Sequence, residues 1–178
     1  MDKCGNHLSD DSIDETTLKK SHRNNKAICD YSSELYPEFE IAEPCDCREC
    51  RSNVTEHEGI FLLKSEDVDK YIEKYKPVPQ LVWDKTVKVS QNSLSITFGK
   101  SKGKTYDRVI IYPTENIKNW LRDKRFDFTK VENGKRKKIK DVKEKFYVAI
   151  TRARYSVAIV YDFTTDENIE GIQKYIPN

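Results

Sequence analysis

An α/β fold, with a mainly parallel sheet carrying helices on both faces, is predicted by two patterns in the sequence. Short apolar runs without polar alternation, Gly59–Leu63, Arg108–Tyr112 and Ser156–Tyr161, read as strands covered on both sides. Segments with apolar residues at helical spacing lie between them, and that alternation calls for crossover connections between strands pointing the same way. A length of 178 residues suits one domain of ordinary size, or one domain plus arms, and length alone favours the first.

The elements follow in order. Residues 1–20 carry five acidic side chains and little that could be buried, and read as a disordered leader. Asn25 is a good N-cap for a helix over about 25–36, with Ile28, Tyr31 and Leu35 inward and Pro37 at its end. Residues 37–57 are acidic, contain Pro37 and Pro44 and hold a cysteine cluster, so a loop or small insert is expected. After the Gly59–Leu63 strand, Ser65 caps a helix with Val68, Tyr71, Ile72 and Tyr75 as its apolar stripe, stopped by Pro77 and Pro79. Strands are expected at Gln80–Trp83, Leu94–Phe98 and Arg108–Tyr112, then a short helix over Asn116–Arg122. A helix near 141–153 presents Val142, Phe146, Ala149, Ile150 and Ala153, the run from Ser156 is the last buried strand, and 164–178 read as a tail.

The net charge of +2 makes the chain no polycation, so any nucleic-acid affinity must come from local patches. Apolar residues make up 37% and charged residues 35%. No run approaches the roughly 18 apolar residues of a membrane span, and the N-terminus lacks a secretory pattern. Five cysteines, three of them within Cys45–Cys50, suit reduced thiols, so the expected compartment is the cytoplasm.

The most specific segment is Tyr147-Val148-Ala149-Ile150-Thr151-Arg152-Ala153. On a helical wheel Arg152 falls at the rim of the apolar face, exposed, and its planar fork of donors matches a phosphate. Ser21-His22-Arg23-Asn24-Asn25 precedes the first helix. Thr97 leads into Ser101-Lys102-Gly103 and Tyr106-Asp107-Arg108-Val109. These three stretches resemble, in order and distance, the sixth, fourth and fifth signature motifs of superfamily-one helicases of the UvrD/Rep/PcrA type, and together span about residues 18–162.

The resemblance implies a RecA-like second motor lobe over 21–163, the C-terminal half of an ATP-dependent DNA helicase. It implies that Arg23 and Arg152 reach the γ-phosphate of ATP across an interlobe cleft and that His22 packs on the adenine. It places Gly103 and Thr105 at the nucleotide site, and Thr97, Ser101 and Lys102 on single-stranded DNA. Five positions depart from the family: His22 replaces a Tyr, Gly99 stands where many relatives have His, and Lys104, Thr105 and Tyr106 follow the Lys-Gly pair where an aromatic or aliphatic residue, a Glu that commonly contacts the ribose, and a Phe are common. The phosphate-cradling G-x-x-x-x-G-K-[ST] loop does not occur, nor does an apolar strand ending in Asp-Glu to hold Mg²⁺. ATP and Mg²⁺ would therefore be bound chiefly by a separate N-terminal ATP-binding lobe, and the chain alone is expected not to hydrolyse ATP.

Two further patches carry chemistry. Cys45, Cys47 and Cys50, with His57 or Cys29 as a fourth ligand, could hold a structural Zn²⁺; reduced thiols in a loop and redox work are the alternatives. Residues 130–145 hold eight Lys/Arg against three acids, either a solvated loop or a contact to a nucleic-acid backbone. Trp83 and Trp120 read as packing. A second reading of the whole chain is a stand-alone nucleic-acid or protein interaction module that keeps the lobe's fold without ATP chemistry. The first reading requires Arg23 and Arg152 to converge at one edge of the molecule.

Overall fold

The computed structural model describes residues 20–45 and 57–177. Six parallel strands form the central sheet in the order β10-β3-β9-β6-β4-β5. They are β3 (Gly59–Leu63), β4 (Gln80–Val82), β5 (Ser95–Thr97), β6 (Tyr106–Ile111), β9 (Ala153–Val160) and β10 (Gln173–Lys174). β3 and the last six residues of β9 are buried throughout, which explains why those runs show no polar alternation.

Helix α1 (Lys26–Ser33), α3 (Glu115–Arg122) and α4 (Val142–Ile150) pack on one face. Ile28, Tyr31, Trp120 and Phe146 meet Ile60, Val109, Val157 and Ile159 there. Helix α2 (Val68–Tyr75), entered through a 3₁₀ turn at Ser65–Asp67, covers the other face with Tyr71 and Ile72 against Phe61, Ile110 and Ala158. The α/β architecture, mainly parallel with helices on both faces, is therefore the one expected.

Two small sheets lie outside this body. Strands β1 (Lys20–Ser21) and β2 (Glu43–Pro44) pair in parallel, and β7 (Thr129–Glu132) and β8 (Lys135–Lys138) form an antiparallel hairpin. Of the disordered leader expected over residues 1–20, residues 1–19 lie outside the described residues, as do Cys47 and Cys50, and Lys20 opens β1. Among the described residues no helix is long and apolar enough to cross a membrane.

Two expectations are corrected. Residues 164–177 do not trail away: β10 pairs with β3, and Ile169, Ile172 and Tyr175 are buried in the core. The helix expected to reach residue 153 ends at Ile150. Thr151 Oγ1 donates back to Tyr147 O at 2.9 Å and Arg152 Nε to Val148 O at 2.8 Å, satisfying carbonyls that the last turn leaves open. Ala153 then enters the sheet.

Candidate functional site

The three motif stretches meet at the N-terminal ends of β6 and β9. Asn25 caps α1 by accepting from Ile28 N at 3.0 Å, and its Nδ2 donates to Tyr155 O at 2.9 Å and Glu58 Oε2 at 3.0 Å. Its neighbour Asn24, 6% exposed, donates from Nδ2 to Thr151 O at 3.2 Å and Ala153 O at 2.7 Å. Asn25 N reaches Arg154 O at 3.2 Å. The pairing of β6 with β9 is irregular between Tyr106 and Arg108. The carbonyls of Ala153, Arg154 and Tyr155 beside that irregularity are thus taken by the two asparagines, which clip the start of α1 to β9.

The clip fixes Arg23. Its Nε donates to Thr105 Oγ1 at 2.8 Å and a terminal nitrogen to Thr151 O at 3.1 Å, spanning 82 and 128 residues of sequence. Arg152 donates from Nε to Val148 O, from one terminal nitrogen to Lys104 O at 3.3 Å and from the other to Thr151 Oγ1 at 3.1 Å. Both guanidinium groups therefore bind Thr151, one at its carbonyl and one at its hydroxyl. Neither forms an ion pair among the described residues. A guanidinium carries five N–H donors, so Arg23 keeps its second terminal nitrogen uncommitted.

Arg152 departs from expectation in exposure: at 8% it is buried. It sits in the turn after α4, not on the helix rim, and its charge lies at the negative end of that helix. Burial first, then the Arg23 guanidinium, lowers the pKa of Arg152; burial first, then Arg154, lowers that of Arg23. Both remain cations at any working pH, and both directions mark positive charge held without a compensating carboxylate.

An open cleft of about 340 Å³ is lined by Ser21, His22, Arg23, Asn24, Thr105 and Arg154. His22 is exposed at its mouth. Thr105 faces Arg23 with a neutral oxygen where the resembled family commonly has a carboxylate. None of the lining residues is acidic, so they suit the anionic oxygens of a phosphate and offer Mg²⁺ no carboxylate. Arg154, absent from the sequence expectations, lines the cleft and pairs with Asp107 at 3.4 Å. Its signal was the Arg-x-Arg spacing, which puts 152 and 154 on one side of an extended chain.

The nucleic-acid candidates separate. Lys102 and Gly103 are exposed on a turn, with Gly103 at φ +80° and Lys104 N bonded to Ser101 O at 3.0 Å. That is a type II turn, which favours glycine at this position. Thr97 is half-buried at the end of β5. Ser101 is fully buried and donates to Phe98 O at 2.7 Å, so its hydroxyl shapes the turn and is not presented to a strand. Trp120 is buried edge-on between Tyr31 and Phe146, and Trp83 packs edge-on against Phe98, as read from the sequence.

Of the zinc candidates, Cys47 and Cys50 lie outside the described residues. Cys45 is buried beside β2, as is Cys29 in α1. His57 stacks on Phe61 and Tyr75, with centroids at 3.9 and 4.4 Å, and its Nε2 lies 3.0 Å from the Tyr71 hydroxyl. Among the described residues no group of three or more His, Cys, Asp or Glu is arranged to hold a metal ion.

No protein-family model matches the sequence, and no curated protein matches it. Solved structures to which the chain is similar include helicases. A methylated form of the PRRSV helicase nsp10 gives a TM-score of 0.44 at 17% identity, over 82% of this chain and 24% of that one. The arterivirus nonstructural protein 10 helicase gives 0.43 at 16%, over 83% and 26%. The C-terminal domain of a possible DNA helicase from Lactobacillus plantarum WCFS1 gives 0.45 at 12%, over 86% and 98%. The chain spans about a quarter of the length of the viral helicases.

Proposed function

We propose that this chain is the second motor lobe of a UvrD-like ATP-dependent DNA helicase or translocase, lending its arginines to a nucleotide held by a separate N-terminal ATP-binding lobe. The observation that carries the reading is the meeting of Arg23 and Arg152 on the two oxygens of Thr151, beside a cleft with no acidic lining. Two desolvated cations with no carboxylate between them favour the approach of an anion.

Each residue has a task. Arg23 meets the outermost phosphate with the nitrogen it has not committed. Arg152, fixed by three donations, adds charge from behind and holds the hydroxyl of Thr151, whose carbonyl receives Arg23. His22 offers an exposed ring to a base, and Thr105 holds Arg23 from the opposite side. ATP bound by the other lobe, with its Mg²⁺, would draw the lobes together through its γ-phosphate, and hydrolysis would break that bridge and release them. Lys102, on the turn that Gly103 permits, contacts single-stranded DNA together with Thr97. Arginines supplied from outside the phosphate loop accelerate phosphoryl transfer by about 10³–10⁵ where they act.

The test is ATP hydrolysis. The chain alone is expected to show no turnover above an Arg23→Ala control. Mixed with an ATP-binding lobe of the same helicase class and single-stranded DNA, the wild type should stimulate hydrolysis, and Arg23→Ala and Arg152→Ala should remove that stimulation by about 10³-fold or more. Stimulation that survives both substitutions overturns the assignment. The zinc site is a separate proposal: a metal assay finding near one equivalent supports Cys45, Cys47, Cys50 and His57 as ligands, and none removes it.

A further inference from the structure

The basic segment is built as a projecting β-hairpin. Every residue of β7 and β8 except Thr129 is exposed, so the arm contributes nothing to the core. Asn133 and Gly134 join the strands at φ 53° and 72°, the two-residue connection that matches strand twist. The arm is fixed only at its base. Phe128 is 1% exposed in the core, and Ile139 N closes the ladder on Phe128 O at 2.7 Å.

Cross-strand partners share a face. Val131 opposes Arg136 and Thr129 opposes Lys138 on one face. There Arg136 is 3.5 Å from Asp127 and Lys138 is 2.9 Å from Glu144, so both cations are tied to acids outside the hairpin. On the other face Lys130 opposes Lys137, and Glu132 opposes Lys135. Glu132 is shared between Lys130 at 3.5 Å and Lys137 at 2.9 Å, and Lys135 has no ion-pair partner among the described residues. Like charges set directly opposite one another weaken a hairpin, and nothing packed on this face requires them.

We infer that the Lys130–Lys135–Lys137 face grips the phosphate backbone of double-stranded DNA. Charge complementarity selects a polyanion. The residues of the arm, Thr129–Lys138, include no aromatic side chain, so it lacks the stacking platforms on which single strands are bound. A two-stranded ribbon is an element that the B-form major groove, about 12 Å wide, admits. Lys135 and Lys137, two residues apart in an extended strand, lie about 7 Å apart along it, within reach of neighbouring phosphates. This duplex grip goes beyond the single-strand contacts at Thr97 and Lys102 and involves no nucleotide chemistry.

The experiment uses the full chain and fluorescein-labelled DNA, as a duplex and as an oligo(dT) strand of equal length, titrated over a salt series. Duplex affinity should fall log-linearly with salt. The triple variant K130Q/K135Q/K137Q should flatten that slope by about 2–3 and weaken binding at least about tenfold. Glu132→Gln, which releases Lys130 and Lys137 from their carboxylate, should tighten duplex binding, a gain that loss of folding cannot imitate. Four results overturn the inference: no duplex binding by the wild type, an unchanged slope in the triple variant, loss confined to oligo(dT), or equal affinity for phosphatidylserine vesicles. ATP hydrolysis with a first lobe is read separately, so failure here leaves the arginine site standing, and failure there leaves the hairpin standing.

Discussion

Asn24 decides where Arg23 points, because its amide takes the same Thr151 carbonyl that Arg23 uses and also holds Ala153 O. Asn24→Ala leaves a buried carbonyl without a donor and should cost about 1–3 kcal/mol, read as a lower urea midpoint at unchanged slope. His57 governs a second residue-scale effect. Burial, then the charges of Arg108 and Lys74, hold its pKa down at about 4 against an ordinary 6.5. As pH falls, the unfolded chain takes up that proton first, so the stabilising contribution of neutral His57 is complete above pH 6.5 and is lost between 6.5 and about 4. Discounted for partial exposure, the loss is on the order of 2 kcal/mol. Unfolding across that range should show it, and His57→Phe, which keeps the ring stack, should flatten it.

At the scale of elements, the ends of helices decide what the site looks like. The wheel of α4 runs on through Ala153, and periodicity alone cannot see that Thr151 and Arg152 turn back to occupy the final carbonyls. That is why a helix-rim Arg152 was expected where a buried one stands. Arg154 escaped for the same reason: as helix positions, 152 and 154 lie roughly 200° apart, whereas in an extended chain they share a side. The start of α1 was legible, since Asn25 carries its cap in the side chain itself. The turn at Gly103 emerges only in the structure, and its positive φ makes Gly103→Ala cost about 1–2 kcal/mol in thermal unfolding. The hairpin was read as a basic run only, because alternating lysines on an arm with no buried face leave no apolar period. Its anchor is testable: Phe128→Ala should cost about 3–5 kcal/mol and broaden the amide resonances of β7 and β8.

Across the whole molecule, the sheet order could be anticipated only as parallel, since which strand lies beside which depends on contacts far apart in sequence. The C-terminal segment shows the limit most clearly. Ile169, Ile172 and Tyr175 recur every third residue, which suits a helical turn, yet they flank β10, close the edge of the sheet and cover both faces near it. Removing residues 164–178 should forfeit the burial of these three side chains, worth about 1.5–3 kcal/mol each, and uncover the core they protect, lowering the melting temperature steeply or abolishing cooperative unfolding. The meeting of Arg23 and Arg152, by contrast, was legible from motif order alone, although helical periodicity ran on past Arg152. The account stands on that pair being an anion site, and titrating tripolyphosphate into the ¹⁵N-labelled chain addresses it most directly. Saturable shifts of the Arg23 and Arg152 side-chain Nε–H resonances, absent in Arg23→Ala, are predicted; shifts confined to the hairpin lysines, with both arginines unmoved, would contradict it.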